Sequence, residues 1–413
     1  MVIDYHTAGS ILQNQAILAQ QKIKISKIPA AKALKFYLAQ PLKADRDYPP
    51  FDKSAVDGYA LAFGNNNNNN KIKINASYHY QLTNSAEELV KTDEGALQEN
   101  QASLVFTGMK IPKNSYLVVK QEDVVLQNNA VIVPEELMKK GDNIVYQASE
   151  TKKNDLLIKP GQLINANLIT LAAALGEQEL FVYEKPSIAL LATGDELVAP
   201  HKINGAKEGQ IRDANTSYLS SALLDNGFNA HSLGIKKDSL NQLTKVFQQN
   251  LPSYDVLITS GGAAKSKRDL TITALEKLGA KQIFYQVAIK PAKQIWVGEL
   301  DSTLIFVLAG NPLSMQLSFK IYVLPFLQTM SGKKGRFVDW LSFKLARSVE
   351  NDINLDRLWP FYFAKEDDYQ TIIPAKFKSS GNFIIGAKTS GFFHVLAKQR
   401  ILQKSQIVPG LLW

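Results

Sequence analysis

Five short blocks combine small residues with polar or acidic ones, and they lie far apart along the chain. In order they are residues 51–60 (which include Asp57 and Gly58), Thr107-Gly108, Thr193-Gly194-Asp195-Glu196, Ser260-Gly261-Gly262 followed by Asp269, and Ala309-Gly310-Asn311-Pro312. Small residues let backbone N–H groups approach an anion, while carboxylates hold a cation or accept protons. The blocks together indicate a site for a phosphorylated ligand and a metal ion.

The composition limits the number of domains to expect and the kind of metal ion that the protein could bind. The chain has 413 residues, of which 45% are hydrophobic, and it contains no cysteine. Because single cores tend to split beyond roughly 250 to 300 residues, we expect several domains. The absence of cysteine excludes disulfides, thiolate metal sites and cysteine nucleophiles, so any metal must be a hard ion held by oxygen.

The net charge of +9 is spread over several short groups of basic residues. These groups lie at positions 139–140, 152–153, 265–268 and 333–336, without interleaved aromatic residues. Nucleic-acid binding is therefore not favoured, and a small anionic ligand accounts for the charge equally well. Asp4 and His6 interrupt any signal-peptide pattern, and no apolar run approaches the ~20 residues that span a bilayer. We expect a cytoplasmic protein without membrane contact.

From Ser187 onward, apolar strands alternate with helical patterns. The pattern predicts buried strands at residues 187–192, 230–235 and 256–259, and helices at residues 216–226, 239–250 and 269–278, with Asp269 as the N-cap of the third helix and Gly279 just beyond its end. This alternation is typical of a parallel sheet with helices on both faces. Ligands of such sheets bind beyond the carboxyl ends of the strands, where three of the blocks and Asp238 fall.

The flanking regions are richer in strands. Residues 46–145 contain β-rich runs at 116–120 and 130–134, with a two-residue turn at Asn128-Asn129 and a polar tract at residues 65–70 that we interpret as a mobile loop. Beyond residue 335, short alternating strands with turns at residues 379–382 and 390–391 predict a small β-domain. We predict an α/β multi-domain fold, in which a doubly wound, mostly parallel sheet domain follows β-rich N-terminal domains and precedes a small C-terminal β-domain.

We divide the chain into five parts on this basis. They are an N-terminal helix packing on the sheet domain (residues 1–24), a linker domain (25–45 with 146–186), a β-rich domain (46–145), the α/β domain (187–330) and the C-terminal β-domain (331–413).

Each block taken alone has an ordinary structural explanation. Asp269 would cap its helix, Asp195 and Glu196 would favour a helix dipole, and Asn311-Pro312 would open the next helix. Asp57-Gly58 would form a routine turn. Together with Asp238, however, the acids supply enough oxygens for Mg²⁺, which commonly uses one or two carboxylates plus ligand phosphates.

The joint occurrence of these blocks, in this order, resembles the molybdopterin molybdenumtransferases, the bacterial MoeA and gephyrin E-domain family. The family's Phe-Asp-Asn-Ser-Ala-Met-Asp-Gly-Tyr-Ala block stands at residues 51–60 with Lys53 and Val56 substituted. Further matches are Thr107 to Pro112, Thr193 to Leu197, Asp213 with Asn215, Ser260-Gly261-Gly262 with Asp269, Lys290-Pro291 with Lys293, and Gly310-Asn311-Pro312. The resemblance covers nearly the whole chain.

The resemblance implies an enzyme that inserts molybdate into adenylylated molybdopterin, releases AMP and requires Mg²⁺. It implies a homodimer in which Asp57 and Thr107 of one subunit reach the pterin site of the other, and possible contact with other molybdenum-cofactor proteins. The implied catalytic residues are Asp57, Thr107, Glu196 and Asp269, and the implied metal ligands are Glu196, Asp238 and Asp269. The implied substrate-binding residues are Asp213, Asn215, Ser260, Gly261, Gly262, Lys290, Lys293, Gly310, Asn311 and Pro312.

The chain departs from the family pattern at Glu150, Ala264, Gln286, Ala292, Gln294 and Ala309. The last four of these positions cluster where the resemblance implies the oxyanion. They leave open a rival function, in which a member of the same family keeps the pterin pocket as a binding or scaffold protein but has weakened or lost turnover. A third possibility, adenylylation of molybdopterin by a related sheet domain, does not explain residues 51–60.

Overall fold

The computed structural model describes residues 2–62, 73–74, 77–83, 96–201, 206–263, 270–365, 368–377 and 379–413. The chain divides into two compact units, one comprising Met1–Gln40 with Pro160–Trp413 and the other comprising Pro41–Lys159. The polar tract at residues 65–70, and Asp269 with the basic residues just before it, lie outside the described residues.

Several of the helices begin at local capping signals. In the described residues they are α1 (Tyr5–Gln20), α2 (Ala166–Ala174), α3 (Ala214–Asp225), α4 (Leu240–Asn250), α5 (Leu270–Lys277), α6 (Pro312–Ser318), α7 (Leu324–Met330) and α8 (Phe383–Lys388). Side-chain oxygens of Asp4, Asn165 and Asp213 accept hydrogen bonds from the first turns of α1, α2 and α3. Gly279, with φ +94°, follows α5.

A mixed sheet forms the centre of the larger unit. Its strands are β1 (Ile188–Thr193), β2 (Ala230–Lys236), β3 (Val256–Ser260), β4 (Lys281–Tyr285), β5 (Ile295–Leu300) and β6 (Thr303–Leu308). Among the described residues the strand order is β2-β1-β3-β6-β5-β4. The first four strands are parallel, β5 pairs antiparallel with β6, and β4 pairs antiparallel with β5. The carboxyl ends of the four parallel strands therefore meet at one edge of the sheet.

Apolar clusters cover both faces of this sheet. One face packs against α1, α3, α6 and α7, where Leu12, Phe306 and Phe326 are fully buried. The other packs against α4 and α5, where Phe247 and Trp296 are buried. The strands β1, β3 and β6 are buried along their whole length, and their sequences are therefore largely apolar, as expected for central parallel strands.

The remaining strands of the larger unit form small two-stranded pairs, of which Leu197–Val198 with Ile211–Arg212 is parallel, and a C-terminal sheet. They are Ile25–Pro29, Glu179–Tyr183, Leu197–Val198, Ile211–Arg212, Ile289–Lys290, Leu341–Leu345, Val349–Glu350, Asp356–Lys365, Asp368–Pro374, Gly391–Val395, Ile401–Leu402 and Ile407–Leu412. Phe343, Phe361 and Phe393 fill the core of the C-terminal sheet.

The smaller unit is built from strands. They are Leu42–Lys43, Lys53–Ser54, Gly58–Ala62, Lys73–Ile74, Ser77–Leu82, Gln101–Val105, Ser115–Lys120, Val125–Gln127, Ala130–Pro134, Ile144–Val145 and Leu156–Ile158. Asn128 and Asn129 both have positive φ and connect a hairpin, as their sequence predicts. Gly58 has no room for a Cβ, which would lie 1.9 Å from the Val119 carbonyl oxygen of the neighbouring strand.

The predicted fold class is confirmed, although three local predictions are wrong. Residues 230–235 were expected to be buried, but β2 is an edge strand and is partly exposed because it has one neighbour in the described sheet. Residues 383–388 form α8 instead of a strand, and Gly391 begins a strand rather than completing a turn. In the described part of the chain, no helix is long and apolar enough to cross a membrane. The division into five domains stays a prediction.

Candidate functional site

A cavity of about 950 Å³ opens at the carboxyl edge of the parallel strands. The loops that follow β1, β3 and β6 form its walls, together with Asp238 after β2. The lining residues that the sequence singled out are Thr193, Gly194, Glu196, Asp213, Asn215, Asp238, Ser260, Gly261, Gly262, Ala309, Gly310, Asn311 and Pro312. Residues separated by more than a hundred positions in sequence are thus brought to one place.

Asn215 connects two of these loops. Its Nδ2 donates to Ser260 Oγ at 2.8 Å and to the Gly310 carbonyl oxygen at 2.7 Å. Asn215 lies in the first turn of α3, whose start is set by Asp213, which accepts from the Thr216 amide at 3.0 Å. The Asn215 Oδ1 atom is buried without a hydrogen-bond partner among the described residues. It is therefore an acceptor that a ligand N–H or O–H group could satisfy.

The acidic residues are held by local hydrogen bonds. Asp238 Oδ1 accepts from Thr193 Oγ1, and the Asp238 amide donates to Asp195 Oδ1 at 3.3 Å. The Glu196 carboxylate folds back over Gly194, where a Cβ would lie 2.9 Å from Glu196 Oε1. Asp195 therefore supports the loop around Asp238, while Glu196 and Asp238 line the cavity.

The donor set fits a hard cation in part. Glu196 and Asp238 both face the cavity, and two carboxylates with ligand phosphate oxygens match the usual Mg²⁺ environment. Within the described ranges, no cluster of three or more histidine or acidic side chains could hold a metal by itself. The third predicted ligand, Asp269, lies outside these ranges.

The loop after β3 is tightly packed. The Gly261 amide donates to the Leu308 carbonyl oxygen at 3.1 Å, so this N–H is used within the protein. Gly262 has φ +79°, and a Cβ there would lie 2.1 Å from Oγ1 of buried Thr271 on α5. The two glycines thus allow the loop to lie against its neighbours, which is a structural role as well as a way to expose backbone to a ligand.

The predicted lysines occupy a different position from the loops. Lys290 is exposed on the short strand Ile289–Lys290, and neither Lys290 nor Lys293 is among the described residues that line the cavity. Gln294 does line it, and Gln294 Oε1 accepts from Gln286 Nε2 at 2.9 Å. A neutral pair of glutamines therefore stands beside the cavity where the resemblance implies a lysine and a proline.

Asp57 and Thr107 lie together in the smaller unit, although fifty residues separate them. Asp57 Oδ1 accepts from the Thr107 amide at 2.7 Å and from Thr107 Oγ1 at 2.8 Å. These bonds, first from the backbone and then from the side chain, lower the pKa of the Asp57 carboxyl below its ordinary 3.8. Both residues are exposed, so the pair is an ionised carboxylate accessible to solvent.

The sequence did not single out one wall of the cavity. Gly381 and Phe383 line it from the C-terminal part of the chain. Residues 379–382 were predicted as a turn, but the apolar run Phe383-Ile384-Ile385 was expected to continue as strand because such residues favour sheets. The available signal was Asn382, whose Oδ1 accepts from the Ile384 amide at 3.1 Å and caps α8.

This architecture defines a class, namely a β-rich N-terminal region followed by a doubly wound sheet domain with a polar cavity at its strand ends. Comparison with known proteins agrees region by region. The model of the MoeA N-terminal region (domain I and II) matches residues 3–176, and that of the probable molybdopterin binding domain matches residues 189–329.

Individual relatives match most of the chain. A molybdopterin molybdenumtransferase of Staphylococcus aureus is 27% identical over 379 residues, which cover 89% of this chain and 86% of the relative. Another, of Staphylococcus epidermidis, is 24% identical and covers 100% of this chain and 97% of the relative. A molybdopterin biosynthesis moeA protein from Pyrococcus horikoshii has the same fold, with a TM-score of 0.80 at 19% identity and complete coverage of both chains.

The chain belongs to the MoeA family of molybdenum-cofactor biosynthesis proteins. Its assignment as an enzyme holds at the level of this family, the molybdopterin molybdenumtransferases.

Proposed function

We propose that this protein inserts molybdate into adenylylated molybdopterin and releases AMP in a Mg²⁺-dependent reaction. The observation that carries the proposal is the convergence of three of the five sequence blocks on one cavity, together with Asp213, Asn215 and Asp238. Parallel topology brings these blocks to one edge of the sheet, where their polar and acidic side chains line a common cavity. Molybdate and the pterin nucleotide are the substrates.

The described residues suggest how the pterin nucleotide is held. Asn215 Oδ1 is a buried acceptor with no hydrogen-bond partner in the described part of the chain, suited to a ring N–H or amino group. Gly310, Asn311 and the loop at Ser260 form the adjoining wall, where small residues permit close approach. Glu196 and Asp238 would hold Mg²⁺ with help from the phosphates, and the ion would supply charge neutralisation for the phosphate groups.

The test follows the release of AMP. Purified protein is incubated with adenylyl-molybdopterin, molybdate and Mg²⁺, and AMP is measured by chromatography. We expect AMP to appear only when molybdate and Mg²⁺ are both present. Binding of the nucleotide without AMP release, across several metals and pH values, would reject turnover and support the rival function.

We also propose that the site is completed in a homodimer. Asp57 and Thr107 form an exposed, ionised pair, and the resemblance implies that it serves the cavity of a second subunit. Light scattering should give the mass of a dimer. Mixing Asp57→Ala subunits with Glu196→Ala subunits should restore part of the AMP release, whereas two copies of the same variant should not. Activity in a strict monomer would contradict a shared site.

The rival function, a pterin-binding member with weakened turnover, is favoured by the Gln286–Gln294 pair. Glutamine offers neutral donors, and hydrogen bonds that involve an ionised group are roughly twice as strong as neutral ones. A molybdate ion near Gln294 would therefore be held weakly.

Restoring a positive charge tests this point. In Gln286→Lys, the concentration of molybdate giving half-maximal AMP release should fall if the pair borders the oxyanion. Gln282→Lys is the matched control, because it adds the same charge at an exposed position on β4, the strand that ends directly before Gln286. An equal effect of the two variants would show that the charge acts at long range rather than at the oxyanion.

A further inference from the structure

One aromatic residue lines the cavity among the described residues. Phe383, the first residue of α8, lines the cavity and is 58% exposed. Exposed apolar side chains are common on protein surfaces and by themselves indicate nothing. Phe383 differs from a scattered surface residue because it faces a cavity whose other described walls are mostly glycine and polar side chains.

The segment that carries Phe383 is attached to the same residues that bound the cavity. The Leu313 amide donates to the Ser380 carbonyl oxygen at 3.1 Å, and Asn311 Nδ2 donates to Ser380 Oγ at 3.2 Å. Both donors lie at the beginning of α6, directly after the cavity residue Gly310. Residues 380–383 are therefore positioned relative to the sheet edge by two hydrogen bonds.

The rest of α8 is also held firmly. Ile385 is buried, and Gly386 packs so closely that a Cβ would lie 2.5 Å from Gln316 Oε1 on α6. At the other end, Thr389 Oγ1 donates to the Ile385 carbonyl oxygen at 2.6 Å and accepts from Trp413 Nε1 at 2.8 Å. Contacts on both sides thus fix the backbone position of Phe383, while much of its ring remains exposed.

The exposed Phe383 ring, on a backbone held by hydrogen bonds and packing, can stack on a planar ligand. Heteroaromatic rings stack on phenyl groups because every such ring has a π face, and stacking tolerates differences in ring substituents. Oxyanions such as molybdate and phosphate have no such face. The position of Phe383 therefore discriminates between the ring and the anionic parts of a ligand.

We propose that Phe383 is a specificity-determining residue that stacks on the planar nitrogen heterocycle of the ligand. The inference rests on the proposed function, because that function supplies a ligand with such rings. Either the pterin or the adenine of the nucleotide has the required chemistry, and the experiment separates these two sources.

The experiment compares Phe383→Leu, which removes the ring but keeps apolar bulk, with Phe383→Tyr, which keeps the ring. Ile384→Ala is the matched control, since Ile384 is 49% exposed on the same helix but is not among the described lining residues. Binding of AMP and of molybdopterin is measured separately by isothermal titration calorimetry, after circular dichroism has shown that each variant is folded. Titration of adenylyl-molybdopterin gives the affinity for the complete ligand.

We expect Phe383→Leu to weaken binding of adenylyl-molybdopterin by about tenfold, with Phe383→Tyr and Ile384→Ala close to the natural chain. A loss confined to the AMP titration assigns the stack to adenine, and one confined to molybdopterin assigns it to the pterin. Unchanged affinity of Phe383→Leu in all titrations, or an equal loss in Ile384→Ala, would overturn the inference while leaving the proposed function intact. A natural chain that binds none of these ligands would overturn both.

Discussion

The sheet-edge cavity and the Asp57–Thr107 pair use polar residues in opposite ways. In the cavity, Asp213 caps α3, Asn215 joins two loops, and Asp238 accepts a hydrogen bond from Thr193. In the smaller unit, Asp57 is exposed and its side chain accepts from Thr107. Residues of the first kind maintain the structure in addition to any chemistry, whereas Asp57 is available for chemistry at little structural cost.

Because of this difference, substitutions in the two regions should have different effects on the stability of the fold and on the activity. In the cavity, a changed residue should alter both the free energy of unfolding and the reaction. At Asp57, it should alter the reaction almost alone.

The largest effect is expected for Gly262→Ala. The substitution places a Cβ at φ +79° and 2.1 Å from Thr271 Oγ1, so it adds both backbone strain and overpacking. We expect the free energy of unfolding to fall by about 2 to 4 kcal/mol, measured by urea denaturation. Gly176→Ala is the control, because Gly176 has φ +75° but nothing within 4 Å of a Cβ, and it should cost about 1 kcal/mol. Equal losses would show that packing against Thr271 contributes nothing.

Asn215→Ala should have an intermediate effect. It leaves the Ser260 hydroxyl and the Gly310 carbonyl without their Asn215 donor in a largely buried environment. We expect a loss of about 2 kcal/mol in the free energy of unfolding, together with weaker binding of the pterin nucleotide. Ser217→Ala, at an exposed position on the same helix, should change unfolding by less than about 0.5 kcal/mol. Normal stability of Asn215→Ala would show that the loops do not depend on this connection.

Asp57→Ala should leave stability nearly unchanged and reduce activity. Because the side chain is exposed, we expect a change of at most about 0.5 kcal/mol in the free energy of unfolding. If the carboxylate acts in proton transfer, AMP release should fall by about 100-fold or more. Substitution of exposed Asp123, in the same unit, provides a control for the loss of one negative charge. A marked loss of stability with retained activity would contradict this comparison, because it would show that Asp57 maintains the structure rather than the reaction.

The smallest effect concerns pH. Thr107 lowers the pKa of Asp57, so any stability that this ionised carboxylate provides is present above the ordinary pKa and is lost as the pH falls through the lowered one. Between about pH 5 and 8, the difference in melting temperature between the natural chain and Asp57→Asn should therefore be constant, and it should shrink below about pH 4. A difference that changes near neutral pH would mean that another group controls the pair.

Much of the fold could be predicted because its signals are local. The strands β1 and β3 are continuous apolar runs, Asn128-Asn129 has the composition of a tight hairpin turn, and Gly279 marks the end of α5. Helix α3 begins at Ala214, two residues before the predicted start, because Asp213 supplies its cap. The short helix α8 was missed, since six residues that begin with Phe-Ile-Ile have the composition of a strand. The Asn382 cap and close packing of Gly386 on α6 accompany the helical conformation instead.

The candidate site was predictable in part for a similar reason. Parallel topology places strand ends at one edge, so the convergence of the Gly194, Ser260 and Gly310 loops follows from the order of strands and helices. The positions of Lys290 and Lys293 away from the cavity lining do not follow from that order. They depend on the antiparallel additions to the sheet and on the C-terminal sheet.

The sequence by itself determined the chemical inventory of this protein: oxygen ligands without thiols, glycine-rich turns beside acids, and the ordered blocks of the MoeA family. These follow from residue types and spacing. The tertiary structure decided which groups are free to act. It committed the Gly261 amide to Leu308, left Asn215 Oδ1 without a partner among the residues that the structure describes, and brought Phe383 to the cavity. Such choices depend on long-range packing and hydrogen bonding, in which a donor or acceptor used within the fold is no longer available to a ligand.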